Sequence, residues 1–213
     1  MNNLTTIYVI RHGESKYNAE LSGESNSNLT ELGIEQVKGV AEELKDVKFA
    51  AVFSSTLVRA KETAEILKLE RKLTVEARQS IIERSSYQYA DLIGRDEKEI
   101  LEEMKKDLKF LDEEAKMQYK HTPQMESPQD AAVRFLTFLR EIAIAYRGEN
   151  VLVVSHGNLM RNTLTHLGHA RYDELPAGAI SNAGYFVLKS DGIDFLVKKT
   201  SRIVLHDDKP RIW

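Results

Sequence analysis

Residues 6–18 read TIYVIRHGESKYN, and the change of character at Arg11 decides the fold class. Thr6 to Ile10 is a short run rich in β-branched residues, closed at once by Arg11-His12-Gly13. Such a run, bounded by polar and glycine residues, predicts a buried strand followed by a loop. Two later runs have the same form. Phe49 to Phe53 is closed by Ser54-Ser55, and Val151 to Val154 by Ser155-His156-Gly157.

The intervening segments carry helical spacing. Thr30 reads as an N-cap ahead of Val37, Val40, Ala41 and Leu44. Ala60, Ala64 and Leu67 share one helix face after the second strand. Ser127 and Asp130 form a capping-box pattern before a helix with Phe135, Leu139 and Ile142, and another helix is expected from about Asn158. Ser22 to Asn28 reads as loop, and Leu73 to Ala77 as a short strand. Tyr185 to Leu188 and Phe195 to Lys198 flank Ser190-Asp191-Gly192 and predict a hairpin. From Asp96 to Tyr119 the chain is dense in charge. Ile100, Met104, Leu108, Leu111 and Ala115 form one apolar stripe there, which predicts a single helix with a solvated face. Strands alternating with helices predict an α/β fold, a three-layer α/β/α sandwich with a mostly parallel sheet.

The bulk properties narrow the function classes. The chain has 213 residues, enough for one large domain or one domain with an inserted lobe. A net charge of −3 with both signs interspersed argues against nucleic acid as the main partner. There are no cysteines, so disulfides, thiolate metal sites and cysteine nucleophiles are excluded. The N-terminal residues lack the pattern of a signal peptide, and no apolar run is long enough for a membrane span. The expectation is a cytoplasmic protein.

In a parallel sheet the ligand site lies beyond the carboxyl ends of the strands. That rule brings together Arg11 and His12 from the first strand, Arg59 from the helix after the second, and His156 and Gly157 from the third. Each piece alone reads blandly, as a loop tripeptide, a surface arginine or a turn histidine. Together they describe a site for an anion, because guanidinium forks match phosphate and carboxylate oxygens. A neutral histidine among them can attack phosphorus if its other ring nitrogen is held by an acceptor such as the Gly13 carbonyl. A second histidine can donate to phosphoryl oxygens as charge builds. A metal site is the chemical rival. Arginines beside His12 disfavour it, and His166 and His169 have no carboxylate partner in register. No metal and no cofactor are expected.

These residues resemble the histidine phosphatase superfamily, in its phosphoglycerate mutase-like branch. Residues 11–18 match R-H-G-E-[ST]-x-x-N, residues 29–36 match L-T-x-x-G-x-x-Q, and residues 54–64 match S-S-x-L-x-R-A-x-[QE]-T-A. Residues 154–161 match V-S-H-G-x-x-x-R, and residues 182–184 its late N-A-G turn. The resemblance implies that His12 is phosphorylated, that Arg11, Arg59 and His156 clamp the phosphoryl group, and that Asn18 adds a polar contact. It further implies that Gly157, Ser22 and Tyr87 line the substrate site and that Glu83 protonates the leaving oxygen. Unaided, Glu83 reads as an exposed charge.

The departures from the family pattern lie between Glu83 and Ser127. The run after Glu83 is longer than in the mutases, their adjacent arginine pair for a second acidic group is missing, and the P-G-G-E-S pattern is altered at residues 123–127. The resemblance then implies one domain over residues 1–213, with residues about 84–126 as a helical cap that Ser86, Tyr87 and Tyr89 help to line. The expected activity is a metal-independent phosphatase. The alternatives are a cofactor-dependent phosphoglycerate mutase and a non-catalytic member that binds phosphorylated ligands. A small phosphorylated metabolite is the expected partner, with a phosphoprotein or a homodimer as further options; no nucleic acid and no membrane are expected.

Overall fold

A computed structural model describes residues 4–20, 26–68, 72–84 and 94–206. The strands are β1 (Thr5–Arg11), β2 (Ala51–Ser55), β3 (Val75–Arg78), β4 (Asn150–Ser155), β5 (Ile180–Ser190) and β6 (Phe195–Ile203). They form one sheet in the order β3-β2-β4-β1-β5-β6. The four strands from β3 to β1 run parallel, and β5 and β6 are antiparallel. The helices are α1 (Lys16–Glu20), α2 (Glu31–Glu43), α3 (Val58–Leu67), α4 (Glu97–Leu108), α5 (Glu113–Gln118), α6 (Pro128–Ala145) and α7 (Gly157–His166).

The side-chain alternation of the central strands explains the three layers. Ile7 and Val9 of β1, and Val151 and Val153 of β4, pack with Phe135, Leu139, Leu159 and Leu164 of α6 and α7. Ile10, Leu152 and Val154 point to the other face and pack with Val37, Val40, Ala60 and Ala64 of α2 and α3. A strand covered on both faces is apolar at every position, which is why these runs are continuous rather than alternating. The α/β/α sandwich predicted from the sequence is therefore observed. No helix among the described residues is long and apolar enough to cross a membrane.

Local chemistry sets the helix starts. Thr30 accepts from Gly33 N at 3.0 Å, and Ser127 and Asp130 form a reciprocal capping box at the start of α6. Three expectations change. The second strand lies two residues later than Phe49 to Phe53, and the third begins at Val75 rather than Leu73. The charged segment is two helices. Its stripe holds in α4, where Ile100 and Met104 are buried against Met125, but the helix ends at Leu108 and restarts at Asp112, whose carboxylate accepts from Ala115 N at 2.8 Å. An aspartate offering its side chain to the backbone favours a cap over a helix interior. Ser22, Ser86, Tyr87, Tyr89 and the tail after His206 lie outside the described residues.

Candidate active site

The carboxyl ends of β1, β2 and β4 open on one cleft of about 220 Å³. Arg11, His12, Asn18, Arg59, Glu83 and Gly157 all line it. Arg11 ends β1 in register with Ser155 of β4. His12 follows, with its backbone gripped from both sides: its N–H donates to Ser155 O at 3.1 Å, and its carbonyl accepts from Ala183 N at 3.2 Å. Ala183 reaches it from a β-bulge with a left-handed φ of 56°.

The ring of His12 is buried and held at both nitrogens. Nδ1 lies 2.6 Å from the Gly13 carbonyl, which accepts only, so the proton sits on Nδ1. Nε2 accepts from Arg59 Nε at 3.0 Å. The Gly13 carbonyl, one candidate acceptor in the sequence, is the group at Nδ1. Burial, together with the charges of Arg59 and Arg11, pushes the His12 pKa well below the ordinary histidine value. The ring is therefore neutral at physiological pH.

Thr63 braces the same corner. Its hydroxyl donates to Arg59 O at 2.8 Å and accepts from Gly13 N at 3.2 Å, linking α3 to the loop after β1. Arg59 also approaches His156 Nδ1 at 3.4 Å, and the His12 and His156 rings are 5.1 Å apart. His156 is fully buried at the N-cap of α7, and its Nε2 has no hydrogen-bond partner among the described residues. Burial, with His12 and Arg59 nearby, holds its pKa well below the usual range. The Arg11 guanidinium runs alongside Gly157, where an added Cβ would stand 3.2 Å from Arg11 Nε. It also donates to the Ile180 carbonyl. Asn18 Oδ1 accepts from Ser15 N at 2.7 Å, and Asn18 Nδ2 donates toward Asn182 Oδ1 at 3.5 Å.

Glu83 is not the exposed charge it resembles in the sequence. Its carboxylate is part-buried and accepts from Asn158 N at 3.1 Å, and from Leu159 N and Arg84 N at 2.9 Å. Two of those donors are the first turn of α7. Burial raises its pKa, opposed by the backbone donors and by Arg11. Arg134 of α6 fixes the approach of this segment. It donates to Ser80 O at 2.7 Å and Ile82 O at 3.2 Å and is paired with Glu126. The Ser155 hydroxyl adds a bond to Ile81 O at 3.0 Å.

Two wall residues went unassigned in the sequence. Arg84 and Arg161 also line the cleft, so the outer pocket is cationic despite lacking an adjacent arginine pair. Arg161 was readable as the last residue of V-S-H-G-x-x-x-R, on the same helix face as Gly157. Leu101 of α4 closes another side. Among the described residues, no group of three or more acidic or histidine side chains is arranged to hold a metal ion.

The sequence profile of the histidine phosphatase superfamily (branch 1) matches residues 7–202. A metal-independent phosphoserine phosphatase of Arabidopsis thaliana is 30% identical over 189 residues, which are 87% of this chain and 76% of that one. A 2,3-bisphosphoglycerate-dependent phosphoglycerate mutase of Nitrobacter winogradskyi is 33% identical over 168 residues, 73% of this chain and 77% of that one. The crystal structure of phosphoglycerate mutase from Bacillus anthracis superposes with a TM-score of 0.75 at 23% identity, covering 95% of this chain and 94% of that one, a likeness of fold.

Proposed function

The chain belongs to the histidine phosphatase superfamily, and from that premise we propose that it is a metal-independent phosphatase hydrolysing phosphomonoesters through a phosphohistidine on His12. The observation that carries this reading is the state of His12: buried, neutral, protonated on Nδ1, with Nε2 facing Arg59 in a cleft that also holds Glu83.

In the first step, the Nε2 lone pair attacks phosphorus and the bond from phosphorus to the leaving oxygen breaks. The Glu83 carboxyl, whose pKa burial raises, delivers its proton to that oxygen. In the second step, water attacks the phosphohistidine, Glu83 takes the proton back, and the phosphorus–nitrogen bond breaks to release inorganic phosphate and neutral His12. Arg11, Arg59 and the Nε2 of His156 stabilise the charge on the phosphoryl oxygens throughout. We assign residues about 84–126 as a cap over this site, through Arg84 and Leu101, and a small phosphorylated metabolite of the cytoplasm as the substrate.

Hydrolysis of p-nitrophenyl phosphate in the presence of EDTA tests the reading. Turnover is expected, with loss in His12→Ala; full activity in that variant overturns the mechanism. A second reading, a phosphoglycerate mutase, is favoured by the cationic outer wall of Arg84 and Arg161. Interconversion of phosphoglycerates stimulated by 2,3-bisphosphoglycerate would select it.

A further inference from the structure

The backbone is least ordinary where β5 passes His12. From Ile180 to Tyr185 the chain advances five positions while its partner strand advances two, from Ile203 to Ser201. The surplus residues form the bulge whose Ala183 N–H donates to the His12 carbonyl. Two non-glycine residues there are left-handed, Ala183 at a φ of 56° and Arg202 at 55°. Residues with a Cβ rarely adopt that region, and they persist in it only where the surroundings impose it. The adjacent Gly184 is not left-handed. It stands instead at a close approach, where an added Cβ would lie 2.8 Å from the Arg202 carbonyl oxygen. Arg202 of β6 thus lies directly against the bulge.

The arrangement is imposed by the anchoring of Arg202. β6 is the edge of the sheet, with a neighbouring strand on one side only. The Arg202 guanidinium is paired with both carboxylate oxygens of Glu43, the last residue of α2. The Tyr185 hydroxyl donates to the same carboxylate at 3.4 Å, from the far end of the bulge. The start of α2 bears on the same loop, since Gly33 packs against Glu14, two residues after His12. One helix therefore braces the His12 segment directly at its start and through β6 at its end. The peptide gripped by Ala183 leads straight to the Gly13 carbonyl that holds the His12 ring at Nδ1. An exposed ion pair adds little to stability, whereas bulges beside active sites commonly re-aim a side chain.

We propose that Arg202, anchored by Glu43, is a positioning residue for His12: it holds the bulge in the form that presents the Ala183 N–H to the His12 carbonyl. Its kinetic consequence rests on the phosphohistidine reading above; its structural one does not.

Arg202→Ala and Glu43→Gln test this, with Lys38→Ala as control, since Lys38 pairs with Glu35 on the same helix at 2.7 Å. Two quantities are measured: the nitrogen NMR shifts of the His12 ring, and steady-state hydrolysis of p-nitrophenyl phosphate. In the unaltered protein the ring is expected as one tautomer, protonated on Nδ1. In Arg202→Ala and Glu43→Gln its shifts should move toward a mixture of tautomers. There kcat should fall about fivefold to fiftyfold, short of the roughly hundredfold that a displacement of about 1 Å can cost, with KM within about twofold. Arg202→Lys, which keeps the charge, should recover part of both. Lys38→Ala should move neither, and urea midpoints should stay close throughout. Ring shifts that are unchanged in every variant that folds, or that change equally in Lys38→Ala, overturn the proposal, whatever happens to the urea midpoint. If instead the unaltered protein turns over no phosphomonoester while the shifts still move in Arg202→Ala and Glu43→Gln, the phosphatase reading fails and the positioning role stands.

Discussion

Arg59 Nε donates to His12 Nε2 at 3.0 Å, so in the proposed mechanism the guanidinium that holds the phosphoryl group already sits on the nitrogen that attacks it. The pair is pre-oriented by Thr63, which binds both the Arg59 carbonyl and the Gly13 N–H. Arg59→Met should therefore lower kcat for an alkyl phosphate by on the order of 10²–10³, the usual loss for one preorganised charge-stabilising donor. Steady-state kinetics at saturating substrate check this. A kcat within about threefold of the unaltered enzyme would show that Arg59 only packs.

The pH profile of kcat follows from two opposite shifts. His12 must be neutral to attack, and burial with Arg59 and Arg11 depresses its pKa, so the acid limb lies well below the ordinary histidine range. Glu83 must be protonated to donate, and burial raises its pKa, so activity declines as pH rises through that elevated value. The optimum thus lies between the depressed His12 value and the raised Glu83 value. Glu83→Gln should remove the falling limb and cost about 10²–10⁴ in kcat for an alkyl phosphate, with a smaller loss for p-nitrophenyl phosphate, whose leaving group needs no proton. Retention of the falling limb in Glu83→Gln would assign it to another group.

The same histidines enter the stability of the fold. His12 and His156 both have folded-state pKa values depressed by burial, so the folded state binds fewer protons than the unfolded chain. Their contribution is fully present above the unfolded value of about 6.5 and is lost as pH falls toward the folded values. Glu83 acts in the reverse sense, since its raised value favours the fold at low pH. Urea denaturation between about pH 7 and pH 5 should show a shallower loss of stability in His156→Asn than in the unaltered protein. Parallel curves would mean that the buried histidines are not proton-linked to folding.

Gly33 and Gly39 lie on the same helix and should respond in opposite directions. A Cβ on Gly33 would stand 2.0 Å from the Glu14 carbonyl oxygen, two residues from His12. Gly33→Ala should cost about 1–3 kcal/mol by overpacking, and reduce kcat because the loop carrying His12 must shift. A Cβ on Gly39 meets nothing within 4 Å, so Gly39→Ala should stabilise by roughly 0.5–1 kcal/mol through helix propensity alone. Paired urea midpoints check both. Equal effects would deny the close approach of α2 to the loop.

The sheet and the inner site were legible because one constraint wrote both. Strands buried on two faces must be apolar throughout, so the polar residues that follow β1 and β4 stand out at their ends. Glu83 was not legible alone, since its environment comes from the first turn of α7, 75 and 76 residues later. Arg161 was visible as a motif position, but its burial and its stacking on Tyr172 are tertiary facts that no local pattern carries. The break between α4 and α5 was hidden because the apolar spacing runs through it, while the side chain of Asp112 decides the restart. Arg134 gave no signal either: it works by binding the carbonyls of Ser80 and Ile82, which any sequence would supply.

The gripping of His12 from both sides has a consequence for how the chain is made. Its N–H waits for Ser155 and its carbonyl for Ala183. At roughly 5–20 residues per second, Ala183 is synthesised on the order of ten seconds or more after His12. During that interval β1, with Ile7, Val9 and Ile10 to bury, has neither neighbour, β4 nor β5, beside it. The nascent chain, rather than the finished protein, is then the form most open to strand-to-strand aggregation, and it is where a chaperone would have the most to shield.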